Sequence, residues 1–461
     1  MNTELRQKID EYFTSNADAI FDDLAKLVAI KSVRGEPEEG APYGRGPREA
    51  LDCMLAISER DGFKPVNCGD QMGYESCGEG EKYITAVAHL DVVPAGSGWN
   101  TDPFTMTERE GFVLGRGVAD DKGGAVLSHY ALKFLRDNDI PLRYETRVLY
   151  GTNEETGMAD IEFYKKHHPE PALAIAPDTI FPGVFAEKGV SGGFIYSGKI
   201  LENIVDFTGG EVINQIAGKA EATVRFSGEL VSTEAVKVEK LEDGLWKLTS
   251  FGKAKHSCLP QRSVNAIGVM AKYLLENGAV SENEERYLRA ILPLLTEIHG
   301  ESFGLNLRDD VFPGSTTIVG TIIRTENGEL AQSYRCYYVS GLSGQKVEEA
   351  VKKGVGDYRV EMTVDTPIFN SGRDNPALIL CRDIYRSYVD DPNEPIGASG
   401  GTYARHFKNA FAFGPLKDKP GYPEFVGDIH SLNEGIPKEQ LLMAGKIYTA
   451  ALIELQQLDF E

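Results

Sequence analysis

The sequence predicts an α/β protein of two domains, one collecting chemistry at the ends of its strands and the other inserted within it. Three observations lead there. At 461 residues the chain exceeds the size at which a single hydrophobic core usually stops growing. The apolar runs YITAVAHLD, RYETRVLYGTNEETG and PALAIAPD each stop abruptly at His, Asp or Glu, as strands do where an open α/β sheet binds ligands. From about residue 186 to 366 the texture changes to alternating, strand-like segments, which is the pattern of a separate α+β domain.

Each element follows from its local pattern. Ile9, Phe13, Ile20, Leu24 and Leu27 recur near helical spacing and predict a helix over residues 8 to 30. A loop rich in Gly, Pro and Glu runs from Val33 to Pro47, and a second helix passes through Leu51, Met54 and Ile57. YITAVAHLDVVP is a strand of small and β-branched residues, suited to burial on both faces. VADDKGGAVLSHYALKFLRD reads as a turn entering a helix. In the insert, GVSGGFIYSGKI, KAEATVRFSGEL, WKLTSFGKAKH, TTIVGTIIRTE, QSYRCYYVSG and YRVEMTVDT are strands, with helices at SVNAIGVMAKYLLENG and GQKVEEAVKKGV. After Pro367, ALILCRDIYRSYV and PKEQLLMAGKIYTAALIELQQL return to the α/β texture. The expected division is therefore 1–185 and 367–461 for one domain and 186–366 for the insert.

Composition narrows the function classes. With 41% hydrophobic and 26% charged residues the chain is ordinary for a globular protein. A formal charge of -22 argues against nucleic-acid or anionic-membrane partners, both of which need a positive surface. The N-terminal segment lacks a signal layout, and no stretch approaches the roughly 20 apolar residues that cross a bilayer, so the expected location is the cytoplasm. Six cysteines are scattered without CxxC spacing, so neither a thiolate zinc site nor a disulfide framework is signalled.

A metal site built for hydrolysis needs histidine and carboxylate ligands, a bridging group if two metals are held, and a base beside the attacking water. The candidates are His89, Asp91, Asp120, Glu154, Glu155, Asp178 and His430. Singly, each has a plainer explanation, since a strand-end histidine is often a satisfied polar group and a loop aspartate often caps a helix. Jointly, so many ionisable groups ending apolar strands are costly without a cation among them. His129, His167, His168, His299 and His406 are expected to be structural or solvated; Trp99 and Phe104 are explained equally by simple core packing and, on the resemblance given next, by packing beside the site.

The segments AHLDVVPAGSGWNTDPF, GRGVADDKGG, NEETG, APD, KAKHSCLP, GGTYAR and DIHSLNE, in that order, resemble the M20 metallopeptidases, and within them the PepV-like dipeptidases. The resemblance implies a catalytic domain with a mixed central β-sheet flanked by helices, of the zinc-peptidase kind, and an inserted α+β lid that must close over the substrate. It implies two divalent metals, zinc first and manganese or cobalt as alternatives. Asp120 would bridge them, His89 and Asp178 completing one and Glu155 and His430 the other. Glu154 would be the general base, and Asp91, two residues past His89, the carboxylate that orients its imidazole. The Asp120–Asp121 peptide would be cis. His256 would donate to the oxyanion, Asn214 would bind substrate, Arg335 would clamp the C-terminal carboxylate, and Gly400, Gly401 and Thr402 would offer backbone donors.

This sequence departs from the family at Lys255, where a small residue is usual, and at Arg262, where glycine is common. Cys336–Tyr337 replaces Tyr-Pro, and QIAG replaces Met-Val-Pro-Asp after Asn214. These changes touch the lid and leave the metal ligands intact. The long insert implies a monomer that supplies its own lid histidine. The implied reaction is hydrolysis of a dipeptide, with an N-acyl amino acid deacylase or a non-catalytic metal-binding scaffold as alternatives. Glu154, which pure metal binding would not require, speaks against the scaffold.

Overall fold

The computed structural model describes residues 2–242, 244–417 and 421–460. The chain forms two compact units, Met1–Phe185 with Asn370–Ile396 and Gly401–Glu461, and Ala186–Phe369 with Gly397–Gly400. The second unit runs past residue 366, to Phe369. It takes in Gly397–Gly400 because Ala398 O accepts from Lys188 N at 3.0 Å, and a Cβ on Gly397 would lie 2.4 Å from Val311 O.

In the first unit a mixed sheet has the strand order Val66–Cys68, Met72–Cys77, Glu145–Gly151, Tyr83–His89, Leu173–Ala176, Ala410–Ala412, continuing into Val184–Glu187. The middle four strands are parallel, and Met72–Cys77 pairs antiparallel on one side. Register fixes the site. His89 lies opposite Gly151, and Ala86 lies opposite Ile175, so HLD, TNEETG and APD emerge at the same edge of the sheet. Every residue of Tyr83–His89 is buried, as its unbroken apolar run requires, and helices Arg45–Arg60 and Lys122–Asp137 lie against the sheet.

The helix expected over residues 8–30 is two helices, Thr3–Ser15 and Ala17–Val28. The break falls at Asn16, whose side chain donates to Tyr12 O at 2.8 Å, competing locally with continued helix. Ile9, Phe13, Ile20, Leu24 and Leu27 are all buried, so the apolar stripe survives the break.

The second unit is one antiparallel sheet, ordered Val236–Glu242, Leu245–Phe251, Lys219–Arg225, Ile204–Gly209, Ile323–Glu326, Glu329–Tyr338, Gly189–Tyr196, Arg359–Thr366. Helices Ala266–Glu276, Glu282–Thr296 and Gly344–Val355 accompany it, and Phe207, Leu248, Ile267, Met270, Leu288, Ile291 and Tyr334 belong to its core. The helix Glu282–Thr296 is absent from the sequence reading, although Ser281 and Glu284 form a capping box that marks its start.

Candidate active site

His89 closes a buried strand with 1% of its surface exposed. Its Nδ1 lies 2.9 Å from the carbonyl oxygen of Asp91, which can only accept, so Nδ1 carries a proton and Nε2 is turned toward the neighbouring acids. Nε2 is 2.9 Å from Asp120 Oδ1 and 3.7 Å from Asp178 Oδ2. Where the carboxylate of Asp91 was expected to orient the ring, its backbone carbonyl makes the hydrogen bond, and the carboxylate oxygen stands 3.6 Å off.

That carboxylate is engaged elsewhere. Its two oxygens accept from the amides of Glu154 at 3.0 Å and Glu155 at 3.1 Å. The two preceding amides, of Thr152 and Asn153, donate to the buried carboxylate of Asp160 at 2.7 and 3.0 Å. Tyr403 also donates to Asp160, and Gly151 is required there because a Cβ would lie 2.0 Å from the Tyr403 hydroxyl. Four consecutive amides are thus gripped by two carboxylates, which hold adjacent glutamates side by side against their mutual repulsion.

Asp120 reaches the site through a cis Asp120–Asp121 peptide at the start of helix Lys122–Asp137. Gly124 lets the helix press onto this turn, since a Cβ there would meet Asp121 Oδ1 at 1.9 Å. The two oxygens of Asp120 face different imidazoles: Oδ1 faces His89, and Oδ2 lies 2.9 Å from His430 Nε2. His430 Nε2 is also 3.1 Å from Glu155 Oε1. The ligand atoms of His89, Asp120 and Glu155 lie within 4.8 Å of one another, and so do those of His89, Glu154 and Asp178.

Electrostatics mark these acids as a set. Burial pushes the pKa of Glu154 well above the usual range; His89 opposes the shift, while Glu155, Asp120 and Asp91 add to it. Burial and then Asp120 do the same to Asp178, and burial raises Asp91 to about 7. Burial would raise Asp120 too, but His430 and His89 hold it well below the carboxylate range. The basic side chains nearby are committed elsewhere: Lys122 donates to Leu27 O at 2.8 Å and Ile30 O at 2.9 Å, and Arg116 pairs with Glu434. Two imidazoles therefore face Asp91, Asp120, Asp121, Glu154, Glu155 and Asp178. Imidazole nitrogen and carboxylate oxygen in this density are the donor chemistry of zinc, manganese or cobalt, and the residues fit divalent ions.

In the second unit the segments that carry Asn214, His256 and Arg335 lie close together. The Asn214 and His256 segments are joined by a bridge between Gln215 and His256, with Ser257 N donating to Asn214 O at 2.8 Å. Ser257 Oγ is 2.9 Å from the Tyr337 hydroxyl, and the Tyr337 ring lies 6.3 Å from the His256 ring and 5.9 Å from the Arg335 guanidinium. Arg262 sits at φ +64°, the left-handed region that suits the glycine common in the family. Gly400 belongs to this unit, whereas Gly401 and Thr402 belong to the first, where Thr402 Oγ1 caps a short 3-10 turn by accepting from Ala404 N at 3.2 Å. Sequence reasoning missed Asp160 with Tyr403, Tyr337 and Glu434. Each sat inside a quoted or neighbouring motif, but a buried acceptor of loop amides has no spacing signature.

Residues 86–454 match the model of peptidase family M20/M25/M40. The chain belongs to this family. It is accordingly a metal-dependent peptide hydrolase. A relative from Staphylococcus aureus strain USA300 named "Putative dipeptidase" is 30% identical over 98% of this chain and 99% of its own. Among solved structures, the yeast dipeptidase Dug1p from Saccharomyces cerevisiae aligns over 98% of this chain and 99% of its own with a TM-score of 0.61 at 12% identity. Human carnosine dipeptidase 1 aligns over the same shares, with a TM-score of 0.57 at 16% identity. At such identities these two structures share the fold.

Proposed function

We propose that the chain is a dinuclear metallodipeptidase, and the observation that carries this reading is Asp120, whose two oxygens face His89 and His430 separately with Glu154 beside them. His89 and Asp178 would hold one ion, Glu155 and His430 the other, with Asp120 shared. When bound, the two ions polarise the scissile carbonyl and acidify the attacking water. Zinc is the first choice, with manganese and cobalt compatible with the same donors.

Glu154 takes the proton from that water on a carboxylate oxygen and passes it to the nitrogen of the leaving amine. Burial and the neighbouring acids raise its pKa, which favours a group that accepts and returns a proton. Asp91 fixes the backbone that presents Glu154 and Glu155, and Asp160 with Tyr403 fixes the turn before it. His256 donates to the oxyanion, Asn214 binds the peptide, and Arg335, a planar permanent cation, takes its C-terminal carboxylate. Gly401 and Thr402, with Gly400, are assigned backbone contacts to substrate. The dipeptide class is supported by the names of the S. aureus, yeast and human relatives.

The test is amine release from free dipeptides and the matching N-acetyl amino acids, using chelated protein with zinc, manganese or cobalt restored. Turnover of the free dipeptides is the expected result and identifies the working metal. Cleavage confined to the N-acetyl compounds would move the function to deacylation, and silence on both with two metals bound would leave a metal-binding scaffold.

A further inference from the structure

DIHSLNE supplies His430, but its final residue has no part in the chemistry above. Glu434 is 1% exposed, and its carboxylate crosses from the His430 segment to the segment that carries Asp120. Oε1 accepts from the amides of Gly117 and Ala119, each at 3.1 Å, and Oε2 takes Arg116 Nη1 at 2.6 Å. The backbone stitches the same two segments: Gly115 N donates to Glu434 O at 3.0 Å, and Gly435–Pro437 pairs antiparallel with Phe112–Leu114. Arg116 is itself 1% exposed and lies over the Trp99 ring, 5.2 Å from its centroid. Ala119 immediately precedes Asp120, and Gly117 at φ +88° leaves this turn without stiffness of its own.

We propose that Glu434 is a positioning residue whose acceptor oxygen, holding the Gly117 and Ala119 amides, sets the spacing between Asp120 and His430 and thereby the affinity of the site for metal. Two amides converging on one oxygen favour a charged acceptor, and the buried guanidinium supplies the counter-charge that makes this carboxylate tolerable inside the protein. The inference rests on the proposed ligand roles of Asp120 and His430 and is independent of the substrate.

The experiment measures zinc affinity by competition with a chromophoric chelator, on full-length protein whose circular dichroism is native. Glu434→Ala removes the acceptor of both amides and should weaken zinc binding by about 10- to 100-fold. The double variant Arg116→Met with Glu434→Gln removes the buried ion pair but keeps an oxygen for Gly117 and Ala119, and it should bind zinc as the wild type does. Wild-type affinity in folded Glu434→Ala overturns the proposal, as does an equal loss in the double variant. If Glu434→Ala does not fold, Arg116→Met with Glu434→Leu, which removes the acceptor and the ion pair together and fills their volume, takes its place: wild-type affinity there refutes the tether, and a loss that the Arg116→Met, Glu434→Gln variant does not show supports it. A wild type that binds no zinc overturns the tether together with the metal reading. A wild type that binds zinc but cleaves no dipeptide refutes only the substrate reading, and the variants' affinities still decide the tether.

Discussion

Two buried clusters of acids and histidine lie in the first unit, and they are balanced differently. Around His129 each acid meets a protein cation or donor. Glu75 is 2.8 Å from Nδ1, Asp61 is 2.9 Å from Nε2 and 2.6 Å from Arg60, and Asp23 binds Arg60 at 2.7 Å and Lys26 at 2.8 Å. Asp61 and Asp23 are held below the usual range, because their hydrogen-bonded partners outweigh burial. Around His89 the acids outnumber the imidazoles, and Glu154, Asp178 and Asp121 are pushed up. The difference teaches how a structural cluster is told from a cation site: the first is neutralised by its own side chains, and the second is completed by an ion.

The comparison can be broken or sharpened in four ways. The largest effect is expected from Glu154→Ala, which should lower turnover by about 10³-fold while leaving bound metal, measured by atomic emission, unchanged. Loss of metal with activity would refute the separation of base from ligands. Next, Glu75→Gln should destabilise the fold by about 3 to 5 kcal/mol, because it strands one side of a buried charged histidine, and urea unfolding would measure it. Metal content should stay the same; metal loss would make the two clusters one.

A smaller effect concerns pH. Burial would lower the pKa of His129, but Glu75 and Asp61 raise it from 6.5 to about 9. A raised folded-state pKa gives stability that is fully present below about 6.5 and is lost as pH rises through about 9, about 3 kcal/mol in all. Urea melts of metal-free protein from pH 6 to 10 should show this decline, and His129→Gln should flatten it. The smallest effect is zinc itself. Zinc at 100 times its dissociation constant should stabilise the chelated protein by about 2.7 kcal/mol, read as a rise in melting temperature. The same rise should persist in Glu75→Gln and vanish in His89→Ala.

Much of this was legible because the acids stand where apolar runs end. His89, Asp178 and the pair Glu154–Glu155 follow strand-like segments, and the parallel register then brings those ends together. The apolar stripe through Ile9 and Leu27 was equally plain, although periodicity could not reveal the break at Asn16, which depends on a side chain bonding its own backbone. The helix Glu282–Thr296 carried a start signal in Ser281 and Glu284 that went unread among so many charged residues. Asp91 was singled out to orient the His89 ring, but its carboxylate serves the amides of Glu154 and Glu155, 63 and 64 positions away in the chain.

By itself the sequence determined the family and the candidate set: histidines and carboxylates at the ends of apolar strands, in an order that identifies the family, with Glu154 beside Glu155. Those are properties of residue type and local pattern, which one strand and its turn suffice to express. Only the tertiary structure decided what holds the set in place: Asp160 and Tyr403 under the glutamate turn, the Asp91 carbonyl on His89, and Glu434 with Arg116 between Asp120 and His430. A buried hydrogen-bond acceptor is chosen by the donors that converge on it in space, and Glu434 meets amides 315 and 317 residues away in the chain, a distance no local pattern can encode.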